Sequence, residues 1–399
     1  MSESKQEGRT LERAGGRIIG LDMHPASSTP SALEVKTAMD AQELCVHANL
    51  AQQRLERWLE KYVDPQDLIV IEASGNTFHT VDRIHACGRH AVVLEPLRAS
   101  QVRKAYCTTD KTSAVKLARV YLSGLAVEVW TPDEKTRERR EVLHAHQRAV
   151  QDTTRGRNRI RSWMNQFSIR KRKGLRLAHP NGRRWVLEQR EWTPNQQLLI
   201  EHMFTDLWQA EARRKKLRQV MAEDVANDPE LLKLQRLFGV RVIGAYALAA
   251  TIGDIHRFRT AKKLVAYLGF SPNTNRSGLG KHDYGSASWG CGEVRRIIIQ
   301  AAQTILRYDN DTPLHKWGLA LVYRKGRCLA TCAVARKLVT AVWYLLKGFF
   351  TPLTEETPIL RRKLCELARE IGLSRIRQLG YTSSGDFRDE KMQILFSTV

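Results

Sequence analysis

Three carboxylates and one serine in this chain sit in contexts that suit phosphoryl chemistry. Asp22 stands near the end of the apolar run RIIGLDMH (17–24), and Glu72 near the end of LIVIEA (68–73). Asp110 opens the helical stretch that follows KAYCTTDKTSA. If the two runs are neighbouring parallel strands, their ends converge on one sheet edge, where two carboxylates can share a divalent cation. Three such acids can hold one or two Mg²⁺ ions for in-line phosphoryl transfer. One acid at a strand end is usually just solvated, so it is the set that carries the reading. The serine is Ser277, between Arg276 and Gly278 and shortly before Lys281, in a Gly/Ser/Asn-rich stretch (273–293) open to a phosphodiester. Ser271, Ser286 and Ser288 lie in or beside the same stretch, and residue chemistry alone leaves all four open.

The elements that must position these groups begin after a polar arm, residues 1–16. Over 17–132 the two runs above are joined by ALEVKTAM (32–39) as a strand, 41–62 as a helix, AVVLEP (91–96) as a strand, 110–122 as a helix and AVEVW (126–130). Strands alternating with helices predict an α/β domain with a largely parallel sheet. From 133 to 230 strand-like runs vanish and arginine dominates. Leu143, Val150, Ile160 and Met164, then Leu198, Met203, Leu207 and Val220, supply apolar stripes for two helices joined by a turn. This predicts a basic helical hairpin in which Arg155, Arg157, Arg159 and Arg161 are candidate phosphate contacts; the alternative is a solvated helix pair linking domains. Residues 231–352 read as a mostly α-helical domain. It opens on LQRLFGVRVIGAYALAATIGD, whose Gly239 and Gly244 suit a helix-hairpin-helix that brings backbone amides to a phosphate. Residues 353–399 read as a tail with one basic amphipathic helix at 357–371.

Charge narrows the function. Lys and Arg number 65 against 42 Asp and Glu, a formal +23 across 399 residues, and the excess is spread along the chain. Such a balance points to a polyanionic partner, most often nucleic acid. No apolar run approaches the roughly 20 residues of a membrane span, and the first residues carry no hydrophobic stretch, so neither a membrane nor a secretory signal is expected. The seven cysteines include no C-x-x-C pair. They are expected to be reduced and mostly buried, in a cytosolic protein.

IGLDMH, VIEASG and TTDKTSAVKLAR resemble the three blocks of the DEDD transposase domain, a RuvC-like member of the ribonuclease H superfamily, in the insertion-sequence group IS one-ten with its IS eleven-eleven branch. LFGVRVIGAYALAATIGDIHRFRTAKKLVAYLGFSP, RSGLGKHDYGSASWGCGEVRR and YRKGRCLATCAVARKL resemble the second half of the same family, in the correct order, so the resemblance covers roughly 17–350. It implies a RuvC-like fold, an Asp-Glu-Asp-Asp metal set and a nucleophilic serine. Asp22, Glu72 and Asp110 match the first three acids, whereas Ser113 stands where the fourth would be, removing one formal charge from the site. The nucleophile maps to Ser277. The resemblance further implies a phosphoserine intermediate, a composite site shared between protomers of a dimer or tetramer, double-stranded donor and target DNA, and a structured non-coding guide RNA. Arg295 and Arg296 are then candidate phosphate clamps, and Arg324, Lys325, Arg327, Arg336 and Lys337 a second basic group. Two other outcomes stay open at this stage: a metal-dependent junction nuclease that uses water, and a relative that binds nucleic acid without cutting it.

Overall fold

A computed structural model describes residues 16–24, 27–34, 42–46, 50–96, 110–275, 283–286, 292–308, 312–349 and 357–397. The chain divides into two compact units, Met1–Pro132 and Asp133–Val399.

The first unit is built on one mixed sheet ordered β3-β2-β1-β5-β6-β7, with β4 also paired to β2. Its strands are β1 (Ile18–Met23), β2 (Ser27–Glu34), β3 (Gln42–Val46), β4 (Leu50–Ala51), β5 (Leu68–Glu72), β6 (His90–Leu94) and β7 (Glu128–Val129). Helices α1 (Leu55–Tyr62), α2 (Thr77–Ala86) and α3 (Asp110–Leu122) cover it. Only β1–β5 and β5–β6 are parallel; β1–β2, β2–β3, β2–β4 and β6–β7 are antiparallel. The expectation of a largely parallel sheet is thus corrected, because β1, β2 and β3 form a meander before the first helix. The strand placed at 32–39 lies at Ser27–Glu34, and the first half of the helix placed at 41–62 holds β3 and β4.

Period-two burial sorts the sheet faces. Ile19, Leu21, Ile69, Ile71 and Val93 pack with Leu55, Trp58 and Leu59 of α1 and Val81 and Ile84 of α2. Ile18, Leu68, Val70, Val92 and Leu94 face Leu117, Val120 and Tyr121 of α3. Gly20 permits this second layer to close. A Cβ there would lie 1.8 Å from the carbonyl oxygen of Ala114, so α3 rests directly on the β1 backbone.

Among the described residues, the second unit's regular elements are helices and one two-stranded ribbon. Helices α4 (Glu134–Asn165) and α6 (Pro194–Asn227), with the short α5 (Pro180–Leu187) between them, form an antiparallel hairpin. Asp133 caps α4 through the Thr136 amide, and Thr193 with Gln196 makes a capping box at the start of α6. Leu143, Ile160, Met164, Met203 and Leu207 are buried as the stripe predicts, while Val150, Leu198 and Val220 stay exposed. The chain continues through α7 (Pro229–Leu234), α8 (Val242–Ile252), a 3₁₀ turn (Ile255–Arg257) and α9 (Ala261–Tyr267). Strands β8 (Pro272–Asn275) and β9 (Asp283–Ser286) form the ribbon, followed by α10 (Gly292–Tyr308), α11 (Pro313–Lys325) and α12 (Arg327–Leu346).

Residues 353–399 are more than a tail with a single helix. Helices α13 (Thr357–Ile371), α14 (Leu373–Gln378) and α15 (Ser384–Ser397) bury Leu360, Leu364, Leu367, Ile376, Phe387 and Leu395 in the same core as α6 to α12. The α13 lysine Lys363, 6% exposed, donates to the carbonyls of Gln235, Leu237 and Val240 at 2.7–2.9 Å. It satisfies the end of α7 and the turn that leads into α8. Gly239 in that turn has φ 67°, and its close approach is to the Ala301 backbone of α10, where a Cβ would meet the carbonyl oxygen at 2.9 Å. This glycine is used for helix packing.

Helix α12 is long and apolar enough to cross a membrane by length and composition, with half of that stretch buried in the unit. The described cysteines carry no disulfide: Cys328 is exposed and Cys87, Cys332 and Cys365 are half-buried, so none of the four is fully enclosed.

Candidate active site and nucleic-acid interface

The parallel pairing of β1 with β5 runs in register from Ile18–Leu68 to Leu21–Ile71. The next residues on the two strands are Asp22 and Glu72, neighbours at the strand spacing of about 4.8 Å. Both belong to the face that carries Ile18 and Gly20, the one covered by α3, and both are half-buried. The direction of α3 follows from its contacts. Ala114 crosses Gly20, while Leu117, Val120 and Tyr121 share a core cluster with Ile18, Leu68, Val70, Val92 and Leu94, most of which lie before the strand ends. The helix therefore runs against the strands, with its N-terminus toward their C-terminal ends. From Ala114 back to Asp110 the helix axis advances about 6 Å, and from Gly20 to Asp22 the strand advances about 6.6 Å. The Asp110 backbone is thereby level with the Asp22–Glu72 edge; its side chain lies outside the described residues. Ser113 follows three positions on, half-buried.

The loop after Glu72 is held by its own side chains. The Ser74 amide donates to Thr77 Oγ1 at 2.7 Å, and that hydroxyl donates to the Glu72 carbonyl at 3.1 Å. Asn76 and Gln52 both donate to the His24 carbonyl at 3.3 Å, tying the exits of β1 and β5 together. The acids thus sit on a rigid edge. An all-oxygen, anionic donor set of this kind suits a hard divalent cation such as Mg²⁺.

Ser277, Arg276 and Lys281, between β8 and β9 in sequence, lie outside the described residues, as does Ser288 after β9. The expected long loop is in part an antiparallel ribbon, with Pro272 opposite Ser286 and Asn275 opposite Asp283. Two predicted cations converge at its base. Arg336 Nε donates to the Phe270 carbonyl at 2.9 Å, and the Arg295 guanidinium lies 5.9 Å from the Phe270 ring. Phe270, buried, therefore anchors the ribbon to α10 and α12; sequence reasoning missed it, and the LGFSP punctuation was the available signal. Arg296 is exposed, and Lys337 lies 4.7 Å from the Trp317 ring. Arg324, Lys325 and Arg327 are exposed around Gly326 (φ 83°), where α11 turns into α12.

The hairpin cations behave differently. Arg155 pairs with Asp152 at 3.5 Å, Arg157 with Glu211, and Arg159 with Asp206 at 3.2 Å; Arg161 donates to Asn158 at 3.5 Å. Deeper in the hairpin Arg139 binds Asp224 at 2.7 Å and Asp228 at 2.6 Å, and Lys135 binds Asp228 at 2.9 Å. Burial opposes ionisation of Asp228, but Arg139 and Lys135 overcome it and hold the carboxyl at about 2. His146, buried beside Arg214 and Arg218, is pushed down to about 4 by desolvation first and by those charges second.

Comparison with known proteins bears on this arrangement. Residues 232–316 match the family described as Transposase IS116/IS110/IS902 family. The chain is 26% identical over 55% of its length to y4qE of Sinorhizobium fredii, named as a transposase, and the match spans 54% of that protein, about half of its length. It is 22% identical to the transposase for insertion sequence element IS1111A of Coxiella burnetii, over 70% of this chain and 77% of that one. It is 25% identical to a protein of Pseudomonas aeruginosa named as a family 20 transposase, over 71% of this chain and 84% of that one. The matched block holds α8, Phe270, the ribbon and α10, and each of these similarities is to proteins described as transposases.

Proposed function

We propose that the protein is an insertion-sequence recombinase that cuts and rejoins DNA through a phosphoserine on Ser277, assisted by a metal site at Asp22, Glu72 and Asp110. The observation that supports the reading is that Asp22 and Glu72 each follow the last residue of the parallel β1–β5 register, with α3 packed on the same sheet face. A divalent cation held there would stabilise charge on the reacting phosphate. Ser277 Oγ attacks the phosphorus, its proton leaves, and one P–O bond of the strand breaks to release a hydroxyl-ended strand. Attack by a second strand hydroxyl on the phosphoserine reforms a phosphodiester and frees the serine, so the bond energy is conserved and no ATP is needed. Arg295 and Arg336, converging on Phe270, would clamp phosphates beside the ribbon.

In this reading the substrates are donor and target DNA in the prokaryotic cytosol. A structured RNA gripped by backbone and shape would choose the sequence. The serine of one protomer would act with the acids of another in a dimer or tetramer. Ser113 leaves three acids, and three suffice where water and phosphate oxygens complete the shell.

The test is a labelled DNA substrate resolved on a denaturing gel. A covalent protein–DNA adduct should form, vanish in Ser277→Ala and persist in Ser271→Ala, Ser286→Ala and Ser288→Ala. Cleaved DNA free of protein, with Ser277→Ala still active, would make water the nucleophile and overturn the serine mechanism.

A further inference from the structure

A second surface of the helical unit, built by α9, the 3₁₀ turn and the end of α12, combines rings and cations. The Arg257 guanidinium lies 4.2 Å from the Phe258 ring and 4.4 Å from the Tyr267 ring, which are themselves 5.2 Å apart. Trp343 of α12 donates its indole N–H to the Phe258 carbonyl at 3.0 Å, joining α12 to the 3₁₀ turn. Its ring lies 5.2 Å from Tyr344 and stacks on Phe349 at 6.0 Å. Lys347 Nζ sits 3.0 Å from His256 Nδ1 and 5.9 Å from the Trp343 ring. Tyr267, Tyr344 and Phe349 are 39%, 41% and 55% exposed, so each presents part of a ring to solvent while a partner fixes its orientation.

The two segments that carry these rings bring charge of one sign. The sequence holds no Asp or Glu between Asp254 and Asp283, nor between Asp311 and Glu355, so both segments that build the surface bring cations alone. Asp254, at its margin, is engaged in capping the 3₁₀ turn through the His256 amide at 2.7 Å. Lys263 lies four residues before Tyr267 on α9, and Lys337, Tyr344 and Lys347 share one side of α12 by helical spacing. Partly exposed, pre-oriented rings among cations and without carboxylates of their own complement an unpaired polynucleotide, whose bases offer π-faces and whose backbone offers phosphates. A duplex keeps its base faces stacked inside and can offer only phosphates.

We infer that the surface formed by Tyr267, Trp343, Tyr344, Phe349 and Lys347, resting on the buried Phe258, is a stacking platform for single-stranded nucleic acid. The inference rests on the reading of the chain as one that works on nucleic acid, but its test involves no cleavage and leaves the Ser277 adduct unaffected. Lys347 and Lys263 would track the backbone while Tyr267, Tyr344 and Phe349 receive bases. The chemistry is common to an RNA loop and to a displaced DNA strand.

Fluorescence anisotropy of the full chain with labelled 15-nucleotide oligo-dT, oligo-U and a matched duplex tests it. Tyr344→Ala and Phe349→Ala should each weaken single-strand binding at least about fivefold, with duplex binding and the thermal midpoint unchanged. Tyr344→Phe should bind within about twofold of the parent, since stacking needs the ring and not the hydroxyl. Lys347→Ala should flatten the salt dependence on single strands by about 0.7 in log–log slope. Tighter binding of oligo-U than oligo-dT assigns the platform to RNA, and equal binding assigns it to any unpaired strand. Unchanged single-strand affinity in a folded Tyr267→Ala/Tyr344→Ala/Phe349→Ala protein overturns the inference. So does a loss of self-association by that protein in light scattering with oligonucleotide binding intact, which would make the surface an interface between copies.

Discussion

The hairpin and the α9–α12 region carry the same excess of cations in sequence but use it in different ways. Along the hairpin, Arg139, Arg157 and Arg159 are matched across the helix pair by Asp224, Glu211 and Asp206. Along α11 and α12, Arg324, Lys325 and Arg327 stand exposed in a stretch with no acid from 312 to 354, and among the described residues none of the three forms an ion pair. The difference teaches that net charge overstates the field of a helical pair whose acids sit on the facing helix. Cation for cation, a bare basic corner offers phosphates more than arginines already paired with acids across a hairpin.

The largest expected effect falls on the neutralised side. Arg139→Ala leaves Asp224 and Asp228 without their buried partner and should cost about 3 kcal/mol or more of stability, read by urea unfolding, with the salt slope of DNA binding unchanged. A stable variant with weakened binding would instead make Arg139 a nucleic-acid contact. Next comes His146 in the same hairpin. Its folded pKa of about 4 lies below the ordinary 6.5, so the unfolded chain takes up its proton first as pH falls. The stability at stake, about 3 kcal/mol at most, is fully present above pH 6.5 and lost progressively down to pH 4. Unfolding midpoints measured at pH 7 and 4.5 should converge in His146→Gln relative to the parent.

The bare corner should respond in binding and not in stability. Replacing Arg324, Lys325 and Arg327 together by alanine should lower the log–log salt slope on duplex DNA by about 2 to 3, with an unchanged thermal midpoint. An unaltered slope would remove the corner from the interface. The smallest effect is expected at Arg159, 63% exposed and paired with an equally exposed Asp206. Arg159→Ala should change stability by less than about 1 kcal/mol and affect the slope less per charge than the corner does. A larger slope change at Arg159 than at Arg327 would reverse the comparison.

What could be read from sequence follows from how local each cause is. LIVIE is continuously apolar and became β5, and the periodicity of 143–164 became a helix, because those signals lie within one element. QELCV reads as helix because five residues with apolar groups at the end carry too little pattern to mark a strand, and only pairing with β2 reveals it. The core role of α15 was hidden because Phe387 and Met392 are separated by the run RDEK, and only packing against distant residues shows them buried. The acidic edge was legible: Asp22 and Glu72 were named at strand ends, and their adjacency required only the order of β1 and β5. The neutralisation of Arg157 was not, since Glu211 lies 54 residues away on the other helix.

The measurement that bears most directly on the account is the yield of covalent protein–DNA adduct on a denaturing gel, with Mg²⁺ and with excess chelator, for the parent and for Asp22→Ala. The account predicts an adduct that needs Mg²⁺ and is lost in Asp22→Ala while folding and DNA binding persist. Full adduct formation by Asp22→Ala, or by the parent in chelator, would contradict it.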